Sequence, residues 1–372
     1  MAIFIFIFLI FLNALYSFLK KESKLLGIIT IIFFGIVFVF ADCKSGDRLE
    51  YSTFYNSVNS FSENQFEFGY VAINYIFKMT GLSFRWYLAF QYAICTFFIS
   101  YTARKFCSNK NRIICLYGLY LIFYCAISIR FFFAMSIVVF GFSFLFNNKK
   151  LPFFICLLFA LLFHSSIVIL LPLLFVKKPQ DDYKKINIVF PIIAIGLTLM
   201  ILFAKNIINS VLEFANRLFP WMEYKLSLYI HDDQASLGLI IYLLFPIMTY
   251  LCSFYWRRRA TLKHDKRYNV FYWLYIIGLI NLFTMPLIIM DGNFMRIALG
   301  TEFLLFMGGS IVVRRDKFIK KTKPTSLFNA KINQLGDGFF IFSSVLVGIL
   351  SFYFFNLNGI SVFSILNSIS FS

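Results

Sequence analysis

Residues 151–175 read LPFFICLLFALLFHSSIVILLPLLF, and the direction this stretch takes decides how the whole chain is threaded. It is apolar and long enough to cross a hydrocarbon core of about 30 Å as one helix. Yet His164-Ser165-Ser166 interrupts it, and Pro152 and Pro172 stand near its ends. Two half-helices folding back at the histidine would form a re-entrant hairpin, an irregular path tolerated at membrane depth where protein or a water-filled cavity covers it.

The flanking charges choose between the two. Basic clusters occur at Lys20-Lys21, Arg104-Lys105, Lys149-Lys150, Lys177-Lys178, Arg257-Arg258-Arg259 and Arg314-Arg315, and Lys and Arg concentrate on the cytoplasmic side of a membrane. A single helix at 151–175 would put its two flanking clusters on opposite faces. A hairpin keeps all six on one face. Outward from it, full spans are expected at about 1–19, 25–41, 86–103, 113–128, 131–146, 186–204, 237–256, 270–290, 297–313 and 338–356. Their apolar runs are continuous rather than alternating, so helices are expected rather than barrel strands. The expected fold is therefore all-α: a polytopic membrane helical bundle of about 10 full spans plus a re-entrant or broken hairpin around 151–175. It forms a single integral membrane domain over 1–372. Both termini then face outward. The exterior segments are about 42–85, a tight turn at 129–130, 205–236 and 291–296, and 314–337 is a cytoplasmic basic loop. The first run starts at Met1 with no basic leader or small-residue cleavage site, and reads as a retained helix rather than a signal peptide.

Composition agrees. Of 372 residues, 60% are hydrophobic and 14% charged, against about 25% charged in a soluble domain. The net charge of +18 sits in short clusters between apolar runs, with no basic domain, so it is a topology signal and no nucleic-acid partner is expected. The seven Cys lack any C-x-x-C pairing and mostly lie in apolar runs, which supports neither a disulfide framework nor a metal site. Neither G-x-x-x-x-G-K-[ST] nor G-x-G-x-x-G occurs, and no cofactor is expected.

The informative charges lie away from the cytoplasmic clusters. Arg130 falls between two apolar runs in almost no loop. It either snorkels to headgroups or binds an anion at a membrane-embedded site. Glu302 sits inside a span, after Asp291 and Arg296 in DGNFMRIALGTEFLL. An intramembrane carboxylate faces a partner or a cavity, so a structural bond and a chemical role both stand. Arg296 is a headgroup anchor or a second cation lining that cavity. His164, at the hairpin tip, either moves a proton near neutral pH or satisfies backbone groups freed by the turn. In 42–85, Gly46-Asp47-Arg48 precedes Tyr51 and Tyr55, and Phe66-Glu67-Phe68-Gly69-Tyr70 precedes VAINYIFKMTGLSF, an interfacial amphipathic pattern carrying Asn74 and Lys78. Aromatics beside carboxylates suit carbohydrate, and they are also ordinary belt residues.

In order and spacing these elements resemble the EpsG-type family. Asp47-x-x-x-Tyr51-x-x-x-Tyr55 is similar to its exterior D-x-x-x-Y pattern. Glu67-Phe68-Gly69-Tyr70 is similar to its F-E-P-G-F element, with Phe68 where proline is usual. Arg130 followed by His164-Ser165-Ser166 and an apolar run resembles its R-Q … H-S-S core, with Phe131 in place of glutamine. The resemblance covers most of residues 40–175. A literal R-x10-G also runs from Arg130 to Gly141, but in a chain with 18 Gly it carries no argument. The family comprises bacterial proteins of exopolysaccharide and O-antigen synthesis resembling Wzy-type polymerases.

The resemblance implies a GT-C-like polymerase architecture in the cytoplasmic (inner) membrane. It implies transfer of a growing glycan from undecaprenyl diphosphate to another lipid-linked repeat unit on the outer face. The partners would be undecaprenyl diphosphate-linked oligosaccharides, membrane lipid and a Wzz-type chain-length regulator. A diphosphate leaving group calls for cations, for which arginine's planar fork is suited, and Arg130 and Arg296 are the candidates. The acceptor hydroxyl needs a base: His164, Glu67 or Asp47, with Asp291 and Glu302 as possible cavity carboxylates. Two other classes share the layout. A lipid-linked oligosaccharide flippase would show repeated halves and charges across several helices, and neither is visible. A membrane O-acyltransferase would use an essential His and Arg, but its cytoplasmic donor would need a path through the membrane.

Overall fold

A computed structural model describes residues 2–19, 21–40, 47–62, 66–107, 109–176, 184–203, 243–262, 268–290, 294–312 and 366. Every regular element among them is helical, as expected. By its packing the chain divides into two compact units, Met1–Val176 with Phe303–Ser372, and Lys177–Glu302.

In the first unit, α1 (Ala2–Phe18) and α2 (Lys24–Phe40) lead through α3 (Asp47–Ser57) and α4 (Phe68–Met79) to α5 (Phe84–Phe106). The stretch expected as one span at 113–128 is broken into α6 (Lys110–Leu116), a π-helical turn (Tyr117–Leu121) and α7 (Ile122–Ile127). The chain breaks again at Ser128 and enters α8 (Ile129–Leu145). Nearly every side chain of α8 is buried, as its all-round apolar sequence requires of a helix at the centre of a bundle. It packs against α5 and against α9 (Lys150–Leu161). A Cβ on Gly141 would come within 2.9 Å of the Cys156 Cβ, so glycine there lets α9 approach closely.

The outer surface carries many large apolar side chains that a water-soluble protein would bury. Phe4, Phe18 and Leu25 are 78%, 82% and 70% exposed, whereas Asn13 and Thr30 are fully buried. Asn13 donates to Thr30 Oγ1 at 2.8 Å and accepts from Asn111 Nδ2 at 2.8 Å, tying α1, α2 and α6 together. Apolar outside and hydrogen-bonded polar inside is how helices associate in lipid.

Residues 151–175 do turn back on themselves. α9 ends at Leu161, the chain reverses through Leu162–His164, and a 3-10 helix (Ser165–Leu174) returns. The Lys150 Nζ donates to Leu174 O (2.7 Å) and Val176 O (2.6 Å), closing the base of the hairpin. Pro172 lies inside the returning arm, where the missing N–H rules out an ideal α-helical ladder.

The second unit holds α10 (Lys184–Phe203), α11 (Leu244–Leu262), α12 (Tyr268–Leu282), α13 (Thr284–Met290) and the first residues of α14 (Met295–Val312). Among the described residues one helical stretch, Asn269–Ile289, is long and apolar enough to cross a membrane by itself. Ala2–Phe18, Lys24–Phe40 and Ile129–Leu145 are shorter apolar helices. The expected segments 205–236 and 314–337, the span at 338–356 and Asp291 lie outside the described residues.

Candidate functional site

The site is assembled from three pieces far apart in sequence. Arg130 is the second residue of α8, and its guanidinium forms an ion pair with Glu67. The other carboxylate oxygen of Glu67, Oε1, accepts the backbone N–H of Ser165 at 2.9 Å, at the first residue of the 3-10 arm. One carboxylate thus bridges α8 and the hairpin tip. The remaining exposure of the two side chains is 15% and 22%, so water screens the pair weakly.

The local sequence explains how Glu67 arrives there. It precedes α4 in extended backbone, φ −63° and ψ 144°, which projects its side chain off the helix end. Gly69, the second residue of α4, donates its N–H to Leu162 O at 2.8 Å. A Cβ on residue 69 would lie 2.7 Å from that same oxygen. Only glycine lets the 66–70 segment dock this closely on the reversal of the hairpin.

Arg130 is boxed by rings. Its guanidinium carbon lies 4.5 Å from the ring centre of Phe66, 5.7 Å from Tyr51 and 5.9 Å from Tyr70. These rings meet edge-on, Tyr51 with Phe66 and Tyr70 and Phe66 with Tyr70. The cage fixes the cation's position and adds cation–π attraction. The Nε–H of Arg130 is buried with no acceptor among the described residues. Gln91 on α5 donates to Ile129 O at 2.5 Å, pinning the backbone beside Arg130.

Burial alone would raise the Glu67 carboxyl. The Arg130 charge, the Ser165 amide, the residue's own backbone and, more distantly, His164 outweigh it and hold the pKa below the ordinary carboxylate value. Glu67 is therefore ionised near neutral pH, and while paired it is a weak base.

His164 is buried and performs the capping role that the sequence offers as one of its two readings. Its Nδ1 accepts from Ser166 N at 3.3 Å and lies 2.8 Å from Ser166 Oγ. An accepting Nδ1 places the proton of the neutral ring on Nε2. Phe131, in the position where the resemblance expects glutamine, sets its ring edge-on to the imidazole at 5.2 Å and 84°.

Asp47 joins through an intermediary. It lies in the first turn of α3, and Tyr51 Oη, one turn on, is 3.4 Å from its Oδ2, while the Tyr51 ring faces Arg130. Neighbouring Arg48, not singled out by sequence, is buried and donates to Phe38 O (2.7 Å), Val39 O (3.1 Å) and Ala126 O (2.8 Å). It closes the carbonyl ends of α2 and α7. Lys78 does the same for the end of α3, donating to Asn56 O at 2.7 Å and Val58 O at 2.8 Å.

Arg296 and Glu302 belong to the second unit, both on α14, with Glu302 buried and the adjacent Thr301 hydrogen-bonded to Asn281 of α12. The residues that sequence reasoning missed are Tyr51, Phe66 and Tyr70 as a cage, Gln91, and the amide of Ser165. The signal for the cage is the crowding of aromatics around Glu67. No signal marks an amide's direction. Among the described residues no cluster of His, Cys, Asp or Glu could hold a metal ion.

The model of the EpsG family matches residues 28–325, a range that contains Asp47, Glu67, Arg130 and His164. That family is one of polysaccharide polymerase-like membrane proteins. No curated protein and no solved structure matches the chain.

Proposed function

The chain belongs to the EpsG family, and on that premise we propose that it is a Wzy-type polymerase. It joins lipid-linked repeat units into O-antigen or exopolysaccharide at the outer face of the bacterial cytoplasmic membrane. In this reading the helices cross the bilayer as about ten spans around the 151–175 hairpin, in a GT-C-like arrangement, and a Wzz-type partner sets chain length. The donor is a glycan on undecaprenyl diphosphate and the acceptor is a sugar hydroxyl of the next lipid-linked unit.

The observation that carries the reading is the convergence of Arg130, Glu67 and the Ser165 amide beside His164. The acceptor oxygen attacks the anomeric carbon, the bond from that carbon to the diphosphate oxygen breaks, and the electron pair leaves with the diphosphate. Arg130 neutralises the charge that develops there, and His164, protonated on Nε2, donates to an oxygen of the same group. Glu67 takes the hydroxyl proton. Direct attack inverts the anomeric centre. Asp47, which reaches the site through Tyr51, is a carboxylate for a sugar hydroxyl.

The surface-glycan ladder of a deletion strain, complemented with wild type, Arg130→Ala or His164→Ala at matched membrane abundance, tests this. A single repeat unit on deletion, with neither variant restoring the ladder, is expected. An unchanged ladder on deletion, or loss of all surface glycan, would refute it.

A further inference from the structure

Two hydrogen-bond donors from different elements converge on one small anion: the Arg130 guanidinium from α8 and the Ser165 N–H from the start of the 3-10 arm. The anion between them is the carboxylate of Glu67. Such a pair of donors, one charged and one a backbone amide, is equally matched to two oxygens of a phosphate group. The guanidinium retains capacity in its buried Nε–H, which has no acceptor among the described residues. The cage of Phe66, Tyr51 and Tyr70 holds the arginine in place whether or not the carboxylate is there. Glu67 itself is held by a segment before α4 rather than within a helix, so its side chain can swing without unfolding an element.

We propose that Glu67 is a resident occupant of the donor's phosphate seat and is displaced from Arg130 and the Ser165 amide when the diphosphate arrives. This rests on the polymerase reading and deepens it. Donor binding and base release become one event: the carboxylate is masked by the arginine until a phosphate oxygen takes its place. It then turns towards the acceptor hydroxyl. An empty site thus holds no exposed base beside an unpaired cation.

The test is binding of farnesyl diphosphate to the full-length chain in nanodiscs, followed by calorimetry. Removing the charged competitor with Glu67→Gln should tighten binding at least about fivefold, the scale of losing one partly screened charge interaction. Relative to Ser165→Ala, which controls for the lost hydroxyl, Ser165→Pro removes the amide donor, because proline is tolerated at a first helical position and His164 before it is already extended, at φ −157° and ψ 118°. That variant should bind the probe several-fold more weakly, and Arg130→Ala should abolish binding. Equal or weaker binding by Glu67→Gln overturns the exchange, as does an unaffected Ser165→Pro. These outcomes are separable from the function itself. A deletion strain with a normal ladder refutes the polymerase, whereas a lost ladder with untightened Glu67→Gln binding refutes only the exchange.

Discussion

Replacing Gly69 by alanine sets two opposed effects against each other at the centre of the site. As a helical position in α4, residue 69 gains from the substitution, because alanine is favoured over glycine by about 1 kcal/mol inside a helix. Against this stands the approach to the hairpin, where the new methyl would lie 2.7 Å from Leu162 O and 2.8 Å from Leu162 Cβ. The oxygen is backbone and already bonded to the residue 69 amide, so it cannot rotate aside. Forcing a methyl into a packed contact of this kind costs about 1–3 kcal/mol. The helix gain is small this close to the N-terminus, so the clash wins. A net loss of about 1–2 kcal/mol lowers the docking equilibrium constant of the 66–70 segment, and so raises its undocked population, by a factor of about 5–30. Hydrogen exchange on the solubilised protein should show amides 66–70 and 162–166 of Gly69→Ala exchanging faster by that factor, with α8 unchanged. The surface-glycan ladder should shorten at equal membrane abundance. Exchange as slow as wild type, with a full ladder, would refute the idea that close approach at Gly69 sets the site.

Two further expectations concern stability. Arg48→Ala leaves three carbonyls at the ends of α2 and α7 without their donor. With charged hydrogen bonds contributing about 1.5–3 kcal/mol each, a loss of about 3 kcal/mol or more should be visible as a lower melting temperature and reduced membrane abundance. Arg48→Lys should recover only part, since an ammonium cannot reproduce the fork, and full recovery would contradict this account. The second concerns pH. The Glu67 carboxyl is held below its ordinary value, by Arg130 and the Ser165 amide against burial, so its stabilising contribution is present above the unfolded-state pKa. It is lost as pH falls through the folded one, below about 4.5. The melting-temperature difference between wild type and Glu67→Gln should therefore be flat from pH 6 to 8 and shrink on acidification below pH 4.5. A difference that grows on acidification would overturn the assignment.

The sequence carried the class of fold and the turn at His164, because apolar runs, basic clusters and one polar interruption are all written in side chains. It also picked out Glu67, Arg130 and His164 one at a time. That Glu67 joins Arg130 across 63 residues and Ser165 across 98 was not legible, since the partner at the hairpin is a backbone N–H and any residue supplies one. The Gly46-Asp47-Arg48 signature gave no hint that Arg48 serves the carbonyl ends of two helices, a role fixed by where α2 and α7 stop. The π-helical turn at Tyr117–Leu121 lies in an unbroken apolar run whose residues say nothing about hydrogen-bond register.

The hairpin has one more consequence, which comes from its dimensions. Twelve residues of α9 rise about 18 Å at α-helical pitch, and ten residues of the returning arm cover about 20 Å at 3-10 pitch. The tighter coil lets fewer residues retrace the same height, so both ends meet at Lys150. Neither arm matches the roughly 30 Å of a hydrocarbon core, and in a bilayer the tip would stop short of the far headgroups. The Arg130–Glu67 pair beside the tip keeps 15% and 22% side-chain exposure, against 36% and 31% for Lys110–Glu22, so added salt should weaken it less.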